Sequence, residues 1–214
     1  MSGLSAAWRY LVDERATVLR YLGEHVQITL ITLAVSILFA VPLGVLLVRV
    51  RWLSAPVLGL LSILYTIPSL ALLILFIPFL GLGADNAIAT LIIYAQVILV
   101  RNTVVGLQSV SPALLEAATG MGMSGWTRWW RVELPLALPL ILAGVRVAAV
   151  TVIGIAAIAA QVNAGGLGTL LFYGIQLDRD DMIWAGVFVV GALALAVNGG
   201  MLALEKALVR TPRG

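Results

Sequence analysis

Residues 111–139 read SPALLEAATGMGMSGWTRWWRVELPLALP, a polar, glycine-broken interruption between two long apolar runs. Ser111-Pro112 is a good helix start, because serine can cap and proline suits the first helical position. The run Ala113-Leu114-Leu115-Glu116-Ala117-Ala118 then favours helix strongly, and Gly120 and Gly122 end it. Trp126, Trp129 and Trp130 follow with Arg128 and Arg131, an aromatic and basic set suited to a headgroup boundary. Pro135 and Pro139 open the next apolar run. The segment from Ser109 to Leu138 is too long for a plain connection in a compact domain. It predicts a short helix lying across one face of a membrane domain, held between two spanning helices.

The flanking runs carry the membrane reading. Stretches free of Asp, Glu, Lys and Arg cover 24 residues at 25–48, 33 at 52–84, 15 at 86–100, 31 at 147–177 and 23 at 182–204. A hydrocarbon core about 30 Å thick takes about 20 helical residues. The expected spans are therefore about 25–48, 56–80, 86–108, 138–161 and 183–207. Span 2 is expected to end in the Pro78…Gly81-Leu82-Gly83 turn, and Pro42 and Pro68 are expected to kink their spans. Composition agrees: 62% of the 214 residues are apolar, 11% are charged, and mean hydropathy is +1.09. Soluble domains carry roughly 45–50% apolar and about 25% charged residues.

Absences exclude several chemistries. There is no cysteine, so no thiolate nucleophile, disulfide or iron–sulfur site. His25 is the single histidine, which leaves no plausible zinc cluster; its simplest reading is an interfacial residue. Lys206 is the single lysine and follows no glycine-rich loop, so the chain has no P-loop for ATP. A lipid-modifying enzyme needs intramembrane acid–base or metal-binding groups, and the spans offer only Arg101 and Arg146. No nucleic-acid partner is expected.

Leu4, Ala7, Trp8, Leu11, Val18, Leu19 and Leu22 recur at near-helical spacing, which suits a helix lying on the membrane surface; a partly ordered tail is the alternative. Orientation follows arginine and lysine. With five spans, one side holds eight basic and three acidic residues, net +5, and the other four basic and seven acidic, net −3. The basic side is expected to be cytoplasmic, with the N-terminus outside and the C-terminus inside. Arg146, within span 4, is expected to have a structural role near the inner boundary. Asp178, Arg179, Asp180 and Asp181 form an outer charged cluster suited to docking a partner or simply to solvation.

Glu116-Ala117-Ala118, three residues, Gly122, nine residues, Val132, one residue and Leu134-Pro135 resemble the EAA loop of bacterial ABC-importer permeases, with valine in place of isoleucine. Tyr65-Thr66-Ile67-Pro68-Ser69-Leu70-Ala71, Leu99-Val100-Arg101-Asn102-Thr103 and Gly120-Met121-Gly122-Met123-Ser124 resemble the osmoprotectant branch of that family. So do Val132-Glu133-Leu134-Pro135-Leu136-Ala137-Leu138-Pro139 and Ala164-Gly165-Gly166-Leu167-Gly168.

The resemblance implies an all-α integral membrane protein of the methionine-permease-like fold. It has five transmembrane helices and a cytoplasmic coupling helix between spans 3 and 4. The resemblance covers about residues 25–208, the expected transmembrane domain with the coupling loop at about 109–138. The N-terminal segment at 1–24 has no clear counterpart and is expected from its spacing to be interfacial, and residues 209–214 are expected to be a cytoplasmic tail. The resemblance also implies a bacterial cytoplasmic (inner) membrane location and import of glycine betaine or a related osmoprotectant. The expected partners are a cytoplasmic ATPase dimer that binds ATP and magnesium, a second permease (the same chain or a paralogue), an extracytoplasmic substrate-binding protein and membrane lipid. The chain itself is expected to carry no cofactor, metal or catalytic residue.

The resemblance assigns ATPase coupling to Glu116, Ala117, Ala118, Gly120, Gly122, Val132, Leu134 and Pro135. Pathway or gate candidates are Tyr65, Thr66, Pro68 and Ser69 around the second kink, and Gln161, Asn163, Gly165 and Gly166 at the outer end of span 4. Methionine or another amino acid is the alternative substrate. A passive channel would leave the coupling pattern unexplained. No aromatic cage for a quaternary ammonium group is identifiable from the sequence.

Overall fold

The computed structural model describes residues 2–208, and the expected tail at 209–214 lies outside the described residues. The described chain is helical almost throughout: α1 (Ser2–Asp13), α2 (Arg15–Arg49), α3 (Arg51–Thr66), α4 (Ser69–Leu80), α5 (Ala84–Gln108), α6 (Pro112–Gly120) and α7 (Gly125–Arg128) come first. A π-helical turn (Trp129–Glu133) leads into α8 (Leu134–Ile158), followed by a 3-10 turn (Ala159–Val162), α9 (Gly168–Gln176) and α10 (Asp180–Leu208). Among the described residues, four helical stretches are long and apolar enough to cross a membrane, at Arg15–Arg49, Ala84–Gln108, Gly125–Val162 and Asp180–Leu208. The bent pair α3–α4 makes a fifth if counted as one span.

That pair corrects the expectation for span 2. The chain turns through 97° between α3 and α4, which is a break rather than a kink. Pro68 has no N–H to donate back to α3, and its ring disfavours helical geometry at the residue before it. Ile67 and Pro68 are both extended, with ψ of 129° and 134°. The freed Ile67 carbonyl accepts from the Tyr94 hydroxyl of α5, as a break in an apolar setting requires. The second helix ends at Gly81, whose φ of +72° suits glycine. Asn86 spans the turn, donating to the carbonyls of Gly81 (2.8 Å) and Leu73 (3.1 Å).

The helix that carries span 1 starts ten residues before the expected span, because α2 runs unbroken from Arg15 through Pro42 to Arg49. The expected boundary at residue 24 is therefore not a structural break. The N-terminal helix α1 packs against α10. One side of it is buried by protein, with Tyr10 in a cluster with Val18, Leu167, Leu170, Met182 and Ala185, while Trp8 and Val12 stay exposed.

The core centres on α5, which packs between α2 and α8 through Ala40, Leu47, Leu91, Leu99, Val100, Ala148 and Val152. Lipid tails are as apolar as leucine, so close backbone approach replaces water exclusion as the driving term. Glycines allow that approach. A Cβ on Gly44 would lie 2.6 Å from the Thr103 Cβ, and one on Gly144 would lie 2.4 Å from the Asn102 Cβ. Arg146 finds a partner on α10: its Nε lies 3.7 Å from Glu205 Oε2. Arg101 donates to the Ser62 hydroxyl on α3 (3.2 Å).

Candidate functional site

Two groups of residues, at opposite ends of the helix bundle, carry the functional reading. The first is the loop around α6. Pro112 occupies the first turn, but Ser111 caps with its carbonyl rather than its side chain, accepting from Leu114 N at 3.0 Å. At the other end Met121 N, Met123 N and Gly122 N return to the carbonyls of Ala117, Ala118 and Thr119. Gly122 takes φ +78°, a left-handed conformation that glycine adopts without penalty. Glu116, Ala117 and Gly120 are exposed while Ala118 is buried. The helix thus offers one face outward and seats the other.

What seats it is a residue outside the motif. Arg128 donates from Nη1 to Thr119 Oγ1 (2.9 Å) and from Nε to Glu133 Oε1 (2.8 Å). It ties the end of α6 to the π turn that opens α8. Ser124 begins α7 by accepting from Thr127 N (3.2 Å). Val132 lies within the π turn, Pro135 in the first turn of α8, and Leu134 packs on a cluster of Leu107, Ala137 and Ile141. Between this loop and α2 lies a cavity of about 880 Å³ reached by Arg49, Trp126 and Glu133. The Arg49 guanidinium sits 6.0 Å from the centroid of the Trp129 ring.

The second group is at the far end, where residues 163–167 join the 3-10 turn to α9. Asn163, Gly165 and Gly166 all have positive φ, so the chain doubles back tightly. The start of α2 grips this loop. Glu24 Oε2 accepts from Gly166 N (2.9 Å), and His25 Nδ1 lies 3.3 Å from Leu167 N. His25 Nε2 lies 3.1 Å from the Ile153 carbonyl. Satisfying both contacts assigns the neutral tautomer, with the proton on Nε2. His25 is 1% exposed, so the interfacial reading of this residue is corrected: it is a buried strut joining α2, α8 and the loop. Its partners lie 128 and 142 positions away, which no local pattern reveals.

Gln161, Asn163 and Gly165 line one cavity of about 480 Å³ with Arg20, Tyr21, Glu24, Thr169, Phe172, Tyr173 and Gln176. Gly166 stands behind it, buried against His25. Tyr65, Thr66, Pro68 and Ser69 line no part of this cavity; they sit at the α3–α4 break. There Tyr65 stacks edge-on to Tyr94 with ring centroids 5.5 Å apart, and Thr66 bonds the carbonyl of Ile63 (2.7 Å). Arg179 pairs with Asp181 (2.6 Å) and covers the Tyr10 ring at 5.4 Å, around a separate hollow. Burial pushes the Tyr10 phenol above its ordinary value, and the Glu14 charge adds to this. Among the described residues no group of three His, Cys, Asp or Glu side chains could hold a metal ion.

The described residues form a bundle of apolar helices with a braced surface helix at one end and a polar cavity at the other. The chain belongs to the family of binding-protein-dependent transport system inner membrane components, which it matches over residues 25–213. It is accordingly a multi-pass permease component and not an enzyme.

The chain is 40% identical over 192 residues to the glycine betaine/carnitine/choline transport system permease protein OpuCB of Bacillus subtilis, covering 90% of this chain and 88% of that one. It is 40% identical over 210 residues to the osmoprotectant import permease protein OsmW of Salmonella typhimurium, covering 96% and 97%. Among solved structures, it superposes on an inward-facing MetNI methionine ABC transporter with a TM-score of 0.82. That match has 24% identity and covers 90% of this chain and 96% of that one; at this identity the likeness shows the fold alone.

Proposed function

We propose that the chain is the permease of an ABC importer for osmoprotectants of the glycine betaine class, coupled through α6 to a cytoplasmic ATPase pair that binds ATP and magnesium. The observation that carries the coupling is the loop itself: Glu116 and Ala117 face outward on a helix that Arg128 ties to the start of α8. A push on α6 then has a stiff route into a membrane-crossing helix. Ala117 permits close approach of a partner surface, buried Ala118 lets α6 seat closely on its own chain, Gly122 turns the chain, and Val132, Leu134 and Pro135 set the direction in which α8 departs.

The substrate class rests on the names of relatives at about 40% identity. The charge distribution supports a cytoplasmic α6 and an N-terminus outside. The cavity end then faces the extracytoplasmic binding protein, with Gln161, Asn163, Gly165 and Gly166 at the gate and Tyr65, Thr66, Pro68 and Ser69 along the pathway. Leu60, Ile63, Ile74 and Phe79 on α3 and α4 are exposed. Such a face suits a second permease, either this chain again or a paralogue, with lipid around the pair.

Reconstitution with the ATPase and binding protein tests this reading. Uptake of glycine betaine is expected to require ATP and the binding protein, and Glu116→Arg is expected to abolish it. Wild-type uptake by that variant overturns the coupling role.

A further inference from the structure

The cavity at the 163–167 end brings together residues about 150 positions apart, and their chemistry is specific. Tyr21 and Glu24 come from α2, Phe172 and Tyr173 from α9, and Arg20 completes the wall. Thr169, Phe172, Tyr173 and Gln176 fall at i, i+3, i+4 and i+7, so one face of α9 is turned to the space. The Glu24 carboxylate is held in place: Oε2 accepts from Gly166 N, and Oε1 lies 4.0 Å from Arg20 Nε. The Arg20 guanidinium lies over the Tyr21 ring, 4.7 Å from its centroid. Tyr21 therefore already holds a cation, while Phe172 and Tyr173 reach the same space from the opposite helix.

Aromatic rings beside a carboxylate attract a quaternary ammonium group, because cation–π attraction needs no hydrogen-bond donor from the ligand. The fixed charges in the wall are one positive and one negative, so the cavity is formally neutral. A ligand with a single positive charge gains from Glu24 and loses to Arg20. A ligand carrying both charges can answer both, with its carboxylate at Arg20 and its methylated ammonium beside Glu24, Phe172 and Tyr173. A volume of about 480 Å³ falls within the range of small-molecule sites and leaves room for water around a solute of that size. Weak binding suits a station on a path, which a solute must also leave.

We infer that this cavity is a transient binding station for zwitterionic quaternary-ammonium solutes, discriminating against purely cationic ones. The inference deepens the proposed substrate class and rests on that reading. Because the station lies in the permease, it is distinct from recognition by a binding protein.

The test uses the assembled permease–ATPase complex without binding protein, in nanodiscs of phosphatidylethanolamine and phosphatidylglycerol, which lack choline headgroups. Saturation transfer from aromatic protein protons to the solute methyl protons reads binding. Wild type is expected to give transfer to glycine betaine at lower half-saturating concentrations than to choline. Phe172→Leu with Tyr173→Leu is expected to weaken binding on the order of 5- to 30-fold. Arg20→Gln, at an exposed position, is expected to erase the preference for glycine betaine while retaining methyl contact. Size-exclusion elution checks that each variant is an intact complex, and Tyr173→Leu alone serves if the double variant is not.

Absence of transfer in wild type, unchanged titration curves in the aromatic variants, or equal binding of the two solutes overturns the station. Transfer that behaves as expected, without ATP-driven uptake of any quaternary-ammonium solute, keeps the station and overturns the proposed transport function. Uptake without transfer does the reverse.

Discussion

Gly166→Ala is the sharpest test of the way α2 holds the far-end loop. Gly166 has φ +77°, and a Cβ there would sit 3.0 Å from His25 Nδ1 and 3.4 Å from the His25 Cα. The left-handed backbone costs a residue with a side chain about 1–2 kcal/mol. Relief by moving His25 is blocked, because its ring is held on both sides by the Ile153 carbonyl and Leu167 N. Overpacking of such a site costs about 1–3 kcal/mol. Together these give a loss of about 2–5 kcal/mol, or a fall of about 4–20 °C in the unfolding midpoint of a chain this long. Tryptophan fluorescence of the purified complex during heating measures it. Gly200→Ala is the control: it is helical with nothing within 4 Å of the added Cβ, so it should stabilise by up to about 1 kcal/mol. A Gly166→Ala midpoint within about 2 °C of wild type, less than 1 kcal/mol, or an equal fall in both variants, refutes this account of the loop.

His25→Phe keeps the bulk but leaves Leu167 N without its partner, and should cost about 1–3 kcal/mol; amide exchange at residues 163–167 should accelerate with it. Arg146→Leu strands the partly buried Glu205 carboxylate and should cost roughly 1–3 kcal/mol, while adding Glu205→Leu should recover most of that loss. A double-mutant cycle on the melting midpoint measures this coupling. Gly144→Ala forces a contact of 2.4 Å with the Asn102 Cβ and should lower the midpoint, whereas Gly154→Ala, with no neighbour within 4 Å, should not.

The parts legible in the sequence are those with a local signature. The loop at 109–138 announces itself by composition and by Pro112, Gly122 and Pro135 at its turns, and its short helix ends within a residue or two of expectation. The apolar runs mark four long helices, but hydropathy carries no direction. The 33-residue run therefore concealed the right-angled break at Ile67-Pro68, where a proline read as a kink proves to be a corner. The residues missed act through distant partners. His25 is an ordinary lone histidine until α8 and the glycine loop close around it, and Arg128 is one of several loop arginines until Thr119 and Glu133 meet it. The aromatic lining could not be read at all, since Tyr21 and Tyr173 come to line one cavity only in the folded chain.

The helical stretch from Gly125 to Val162 counts 38 residues, so at 1.5 Å per residue it is about 57 Å long. A bilayer with its headgroups is about 40–45 Å thick, so this stretch is longer than an upright crossing needs. It carries Arg128 near one tip and Gln161 near the other. For a lever of that length, a tilt of about 5° swings one tip by about 5 Å relative to the other. A tilt pivoting near Gly144, in the middle of the stretch, would displace the glycine crossing there least and the cavity wall at Gln161 most. The two ends of the molecule share one helical stretch, so in the proposed coupling a displacement imposed at Arg128 would reach Gln161 as a tilt of that stretch, without a relay of separate contacts.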